Sequence, residues 1–86
     1  MYYVYLIRSK NIGQYYIGQT NDLRRRLSEH NSGESKWTSK TNDWELIYYE
    51  AFTSRKMAVK REYKLKHNSR GKQELLKRVI EESGEG

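Results

Sequence analysis

The chain has 86 residues, the size of one small domain, and its 17 Lys and Arg outnumber its 11 Asp and Glu. It contains no cysteine, which excludes disulfides, thiolate metal sites and cysteine nucleophiles. No apolar run approaches the length of a membrane span, and the N-terminus lacks the charged region of a signal peptide. We therefore expect one soluble, cytoplasmic domain over residues 1–82 and a flexible tail over residues 83–86.

The positive charge is concentrated in one part of the chain. Residues 55–78 hold ten bases and two acids, a net charge of +8, whereas the remaining residues sum to −2. A basic segment on a mildly acidic protein is typical of a protein that binds a polyanion. The same charge is equally consistent with a solvated helix face, so composition leaves both interpretations open.

The first third of the chain predicts a β-hairpin followed by a helix. Residues 2–8 are β-branched or aromatic and apolar at nearly every position, which indicates a strand covered on both faces. Turn residues at 10–13 separate it from a second strand over 14–19. Capping side chains then precede a first helix over residues 23–30.

The rest of the chain predicts one more strand and two more helices. Residues 32–44 are typical of a loop, and residues 45–50 of a strand. A capped second helix is predicted over 55–67 and a third, after a break at Asn68 and Ser69, over 72–82. The order β-β-α-β-α-α predicts a small α/β sandwich with its sheet between helices.

The first helix carries polar residues on the face that should be apolar. Leu23, Arg26, Leu27 and His30 share one face at 100° per residue, so Arg26 and His30 are drawn toward the sheet. An ordinary structural explanation is also open, in which Arg26 extends past the edge of the core and His30 caps the helix end.

The second helix repeats this pattern with a carboxylate. Around the wheel its apolar arc contains Met57, Arg61, Leu65, Ala58, Glu62 and Val59. A buried carboxylate is unfavourable unless it is paired or ligates a cation, and either Lys66 or Arg61 could neutralise Glu62. One inward Glu and one inward Arg are also the minimum set for metal-assisted phosphoryl chemistry.

The aromatic residues allow both structural and functional interpretations. Strand alternation places Tyr5 with Ile7 on one face of the first strand, and most tyrosines should simply pack in the core or at its edge. A Tyr hydroxyl near a metal or a basic cluster could instead accept a proton from water. Of the two tryptophans, Trp44 is expected to cover the core, whereas Trp37 could either pack or stack on a nucleic-acid base.

Several of these residues form a known pattern. Tyr3-Val4-Tyr5 is followed after ten residues by Tyr16-Ile17-Gly18, and then by Arg26 ten positions after Tyr16. The segments 30–33 and 58–66 continue the match, the second around Glu62. Together they resemble the GIY-YIG nuclease superfamily, and most closely its small stand-alone bacterial members.

The resemblance implies a three-stranded antiparallel sheet flanked by helices, of the α/β (α+β) class, and hydrolysis of DNA phosphodiester bonds with one divalent metal. By position in the motif, Glu62 would bind Mg²⁺ or Mn²⁺ and Arg26 would clamp the scissile phosphate. Tyr16 would be the general base for the attacking water, Tyr5 would orient water or phosphate, and His30 would assist proton relay.

The resemblance also suggests a role in DNA repair or processing with low sequence specificity, as a monomer or weak dimer that acts with or without a targeting protein partner. The expected DNA contacts are Arg25, Lys36, Lys60, Lys64, Lys66, Arg70 and Lys72. Two departures stand out: Tyr3 replaces a motif glycine, and Asn68 is only a candidate for an asparagine that many members carry. A nucleic-acid-binding module with little turnover is the main alternative, and a protein-interaction domain a weaker one.

Overall fold

The computed structural model describes residues 1–82 and contains every predicted strand and helix. The elements are β1 (Tyr2–Ser9), β2 (Gln14–Thr20), α1 (Leu23–Asn31), β3 (Glu45–Phe52), α2 (Arg55–His67) and α3 (Ser69–Glu82). A short 3₁₀ turn, Lys36–Thr38, lies within the segment predicted as a loop. The predicted tail over residues 83–86 lies outside the described residues.

The three strands form one antiparallel sheet in the order β2-β1-β3. The central strand β1 places Tyr5 opposite Gly18 of β2 and opposite Tyr49 of β3. The β1–β2 turn contains Gly13 at φ +63°, a left-handed conformation that glycine adopts without strain. The predicted fold class, α+β with a three-stranded antiparallel sheet, is confirmed.

Each face of the sheet is covered by helices. On one face the strands contribute Val4, Leu6 and Ile17, and the helices contribute Ala58, Leu65, Leu75 and Val79. On the other face Tyr5, Ile7 and Trp44 pack with Leu23 and Leu27 of α1. The alternation predicted for β1 therefore separates a hydrophobic core under α2 and α3 from a second cluster under α1.

Two details of the predicted helices are wrong. Helix α3 begins at Ser69 and not at residue 72, because the Asn68 side chain accepts a hydrogen bond from the Gly71 backbone N–H (3.1 Å) and caps the new helix. The buried stripe of α2 is also narrower than the wheel indicated: Ala58 and Leu65 are buried, but Met57 and Val59 are exposed.

Arg61 joins three elements on the α2–α3 side of the sheet. Its guanidinium donates hydrogen bonds to both carboxylate oxygens of Glu50 on β3, at 2.8 and 3.0 Å. The Tyr48 hydroxyl donates to the same carboxylate (2.6 Å) and accepts from Arg78 of α3 (3.2 Å). Arg61 is therefore engaged in a structural network and does not neutralise Glu62.

None of the helices within residues 1–82 is long and apolar enough to cross a membrane.

Candidate active site

The two predicted tyrosines and the predicted histidine meet between β1, β2 and α1. The Tyr5 hydroxyl is hydrogen-bonded to His30 Nε2 at 2.7 Å. The Tyr16 ring lies edge-on to the His30 ring, with 5.2 Å between centroids, and 6.5 Å from the Tyr5 ring. Residues 25 positions apart in the chain thus form one aromatic cluster, as the resemblance requires.

The second nitrogen of His30 is held by a residue that the sequence did not predict. Thr38 Oγ1 lies 2.6 Å from His30 Nδ1, and the Thr38 hydroxyl donates to the Ser35 carbonyl at 3.4 Å. Because the Thr38 hydroxyl proton points to the Ser35 carbonyl, the Thr38 oxygen accepts a hydrogen bond from His30 Nδ1–H. The unprotonated Nε2 then accepts the hydrogen bond from the Tyr5 hydroxyl. Because Thr38 belongs to a 3₁₀ turn in an irregular segment, no periodicity signals its role.

Burial fixes the charge of this hydrogen-bonded chain. It lowers the pKa of His30 to about 4, assisted by the positive charge of Arg26, so the imidazole is neutral at neutral pH. Burial also raises the pKa of Tyr5 to about 12, although the nearby Arg26 guanidinium opposes the rise. Tyr5 therefore keeps its proton and acts as a donor.

Arg26 borders this cluster from one turn earlier on α1. Its Nη1 lies 3.1 Å from Oε1 of Glu29, and its side chain is 30% exposed. The same guanidinium opposes the rise in the pKa of the Tyr5 hydroxyl and helps to lower the pKa of the His30 imidazole, so its positive charge acts on the buried cluster. Arg26 can therefore contact both the cluster and a ligand in solvent.

Glu62 approaches from α2 around the edge strand β2. Its side chain is 22% exposed, and its Oε2 lies 3.4 Å from the ammonium of Lys66. The same ammonium lies 5.0 Å from the centroid of the Tyr16 ring. Of the two partners that the sequence left open, Lys66 is the one that pairs with Glu62, and it links the carboxylate to the aromatic cluster.

Gly18 makes room for the cluster. A Cβ at this position would lie 2.4 Å from Oη and 2.6 Å from Cζ of Tyr5, and 3.1 Å from Cε2 of Tyr16. Since Tyr5 is buried and its hydroxyl is bonded, it cannot move aside, and only glycine fits. A glycine inside a strand was the available sequence signal for this close approach.

The residues expected to contact DNA differ in their exposure and in whether they already form an ion pair. Lys36, Lys60 and Lys64 are exposed and form no ion pair with any described side chain. Three others have carboxylate partners: Arg25 with Glu29, Lys66 with Glu62 and Arg70 with Glu74. Lys72 is half-buried on α3.

The two tryptophans have different environments. Trp44 is 4% exposed and its Nε1 donates to the Thr38 carbonyl at 2.8 Å, so it covers the core as expected. Trp37, in the turn with Lys36, is 73% exposed and remains available for stacking.

The donor set around Glu62 restricts the kind of metal that it could hold. Within residues 1–82 no group of three or more His, Cys, Asp or Glu side chains is close enough to bind one ion. A single half-buried carboxylate fits Mg²⁺ or Mn²⁺, since Mg²⁺ is commonly held by one or two carboxylates, waters and substrate phosphates. Glu62 is the residue that would bind such an ion.

The domain therefore has a three-stranded sheet between helices, with a tyrosine–histidine cluster beside an arginine on one face. A family model described as the GIY-YIG catalytic domain matches residues 1–74. The chain therefore belongs to the GIY-YIG family, which is a nuclease family.

Its relatives include small proteins from archaea and bacteria. The chain is 40% identical over 77 residues to a UPF0213 protein of Halobacterium salinarum, covering 88% of this chain and 99% of the relative. It is 36% identical over 81 residues to a UPF0213 protein of Staphylococcus saprophyticus, covering 93% and 95%. The solution NMR structure of a UPF0213 protein from Bacillus halodurans is similar, with TM-score 0.55, 38% identity and coverage of 92% of this chain and 85% of that chain.

Proposed function

We propose that this protein is an endonuclease that hydrolyses DNA phosphodiester bonds with one divalent cation, Mg²⁺ or Mn²⁺, and acts in DNA repair or processing with low sequence specificity. The observation that supports this most is the convergence of Tyr5, Tyr16, Arg26 and His30, with Glu62 reaching the same cluster through Lys66. Ionisable groups gathered at one half-buried point are typical of active sites.

In this proposal Arg26 binds the scissile phosphate. Its planar guanidinium can donate two parallel hydrogen bonds to phosphate oxygens and offsets the negative charge that develops as water attacks phosphorus. A divalent cation held by Glu62 would add Lewis-acid stabilisation of the same charge.

The aromatic cluster handles the water and its proton. The Tyr16 hydroxyl releases its own proton to solvent and accepts one from the attacking water as the water oxygen bonds to phosphorus, and the phosphorus–oxygen bond to the leaving group breaks. Tyr5 stays protonated and donates to Nε2 of the neutral His30, so this pair holds the site in a fixed orientation beside Tyr16. The leaving oxygen takes its proton from solvent.

A cleavage assay with matched variants tests the proposal. Single-stranded, duplex, nicked and branched DNA would be incubated with Mg²⁺, Mn²⁺ or EDTA. We expect metal-dependent cutting that falls by about 10²-fold or more in both Arg26→Gln and Glu62→Gln, since each removes a group that stabilises the transition state. Arg24→Gln and Glu81→Gln are exposed charge changes on α1 and α3 and should cut like the parent.

Affinity measured in EDTA separates catalysis from binding. Glu62→Gln should retain the parent's affinity for DNA, because a metal ligand is not needed for contacts to the backbone. Parallel loss of binding and cleavage would count against Glu62 as the metal ligand.

A nucleic-acid-binding module with little turnover is the second candidate. The observation that favours it is the Lys66 ammonium, which neutralises Glu62 where the cation would bind. Retained DNA binding without metal-dependent cutting on any substrate would select this candidate.

A further inference from the structure

An open polar cavity of about 460 Å³ lies beside Arg26, at one end of the sheet. Because β2 and β3 are both antiparallel to β1, they finish at the same end, and α1 and α2 both begin there. The cavity walls include Arg25 and Arg26 of α1, Arg55 of α2, and the amide side chains of Gln19 and Asn21. We call it the arginine pocket.

The bases around the arginine pocket occupy unfavourable positions in their own helices. Helix α1 begins Leu23-Arg24-Arg25-Arg26 and α2 begins Arg55-Lys56, and neither has an acidic residue in its first turn. The start of a helix carries a partial positive charge, so cations there are destabilising. The Asp22 cap of α1 offsets only part of this charge. Both helices thus have basic residues in the first turn, where basic residues are unfavourable. Such exceptions at one place are expected where function, and not folding, selects the residues.

The charge of the arginine pocket is also incompletely neutralised by its surroundings. The Glu29 carboxylate pairs with two guanidiniums: Oε1 lies 3.1 Å from Nη1 of Arg26, and Oε2 lies 3.7 Å from Nε of Arg25. Arg25 also donates to the Asn21 side chain at 2.9 Å. Arg55 is exposed and forms no hydrogen bond or ion pair with a side chain in residues 1–82. Three guanidiniums thus face one carboxylate.

We propose that the arginine pocket binds a second phosphate of the substrate strand, next to the phosphate held at Arg26. Guanidiniums recognise phosphate oxygens in pairs of parallel hydrogen bonds, and a phosphate here would offset the charge that the two helix starts leave unbalanced. The neighbouring amides of Gln19 and Asn21 can bond the sugar or base. This inference rests on the proposed nucleic-acid substrate, but it concerns binding and is measured without cleavage.

Inorganic phosphate is the first probe of the pocket. A ligand that binds only the folded state raises the unfolding temperature by mass action. We expect phosphate to raise the parent's unfolding temperature above that in chloride of equal ionic strength, and to have little effect on Arg25→Gln/Arg55→Gln. The control Arg24→Gln/Lys56→Gln removes the same charges from the same two helix starts, but neither residue lines the pocket, so it should respond like the parent.

The two double variants should behave alike in folding but differ in binding. Without phosphate, both should unfold at the same or a higher temperature than the parent, since both remove cations from helix starts. With a short single-stranded oligonucleotide in EDTA, Arg25→Gln/Arg55→Gln should lose about 2 from the slope of log affinity against log salt, roughly 1 per lost contact. The control should lose clearly less.

Equal phosphate responses or equal salt slopes in the two double variants would overturn the proposal that the arginine pocket binds phosphate. Failure of the proposed nuclease activity is a separate result, because a parent that never cuts DNA can still show the phosphate response. Conversely, metal-dependent cutting by Arg25→Gln/Arg55→Gln at unchanged affinity would support the nuclease and reject the pocket.

Discussion

His30 shows how one residue links the candidate site to the stability of the fold. Its ring is fully buried between Tyr5 and Thr38, and both of its nitrogens are hydrogen-bonded. The arrangement accommodates the neutral imidazole, because one nitrogen must accept while the other donates. Protonation would break the acceptor side and place a charge beside Arg26.

The pH dependence of folding follows from this ring. The pKa of His30 is lowered from 6.5 to about 4, so between these values the unfolded chain binds a proton that the folded protein does not. Stability from His30 is therefore complete above pH 6.5 and is lost as the pH falls through 4. The loss amounts to roughly 3 kcal/mol of unfolding free energy.

Denaturant unfolding between pH 4 and 7 measures this loss, and an NMR titration of the ring protons assigns it to His30. The variant His30→Asn should be less stable at pH 7 but should show a flatter pH profile. Depressed carboxylates such as Asp43, with a pKa of about 2, act at lower pH and remain in both profiles. A ring titration centred near 6.5 would contradict the buried neutral state.

At the scale of elements, neighbouring polar residues of α2 contact different parts of the molecule and have different roles. Arg61 turns to Glu50 of β3, whereas Glu62, the next residue, turns with Lys66 toward Tyr16. The helix thereby attaches to the sheet on one side and serves the candidate site on the other. Neighbouring charged residues that look equivalent in the sequence have different roles.

The variant Arg61→Gln tests this division. It leaves the half-buried carboxylate of Glu50 without its bidentate partner, so we expect unfolding free energy to fall by about 1–2 kcal/mol. Cleavage per folded molecule should be unchanged, measured where circular dichroism shows the variant to be folded. Arg70→Gln is the control, because its pair with Glu74 is largely exposed and should contribute less than about 0.5 kcal/mol. A tenfold fall in the cleavage rate of folded Arg61→Gln would place Arg61 in the site.

The contrast between Arg61 and Glu62 also shows which features the sequence could predict and which it could not. Local periodicity gives the strands, the helices and the inward direction of Arg26, His30 and Glu62, so the sequence could predict them. The partners were not: Thr38 reaches His30 from an irregular turn, and Arg61 finds Glu50 from another element. Arg55 lay outside the motifs, and only the common end of β2 and β3 brings it to Arg26.

At the scale of the whole molecule, the basic segment is less uniform than its net charge of +8 indicates. Four of its ten bases have internal partners: Arg61 with Glu50, Lys66 with Glu62, Arg70 with Glu74, and Arg78 with the Tyr48 hydroxyl. The other six, which include Lys60 and Lys64, form no ion pair with the described side chains. These six are the charges available to a polyanion.

DNA binding should therefore depend on where a charge lies and not only on how many there are. Each phosphate contact contributes about 0.9 to the slope of log affinity against log salt. Removing Lys60 and Lys64 as a Lys60→Gln/Lys64→Gln double variant should lower the slope by about 2, as measured by fluorescence anisotropy on duplex DNA in EDTA. The control Lys10→Gln/Lys40→Gln makes the same change in net charge, but Lys10 follows β1 at the end of the sheet opposite the arginine pocket. We expect its slope to match the parent's, and equal losses in the two variants would mean that net charge alone attracts DNA.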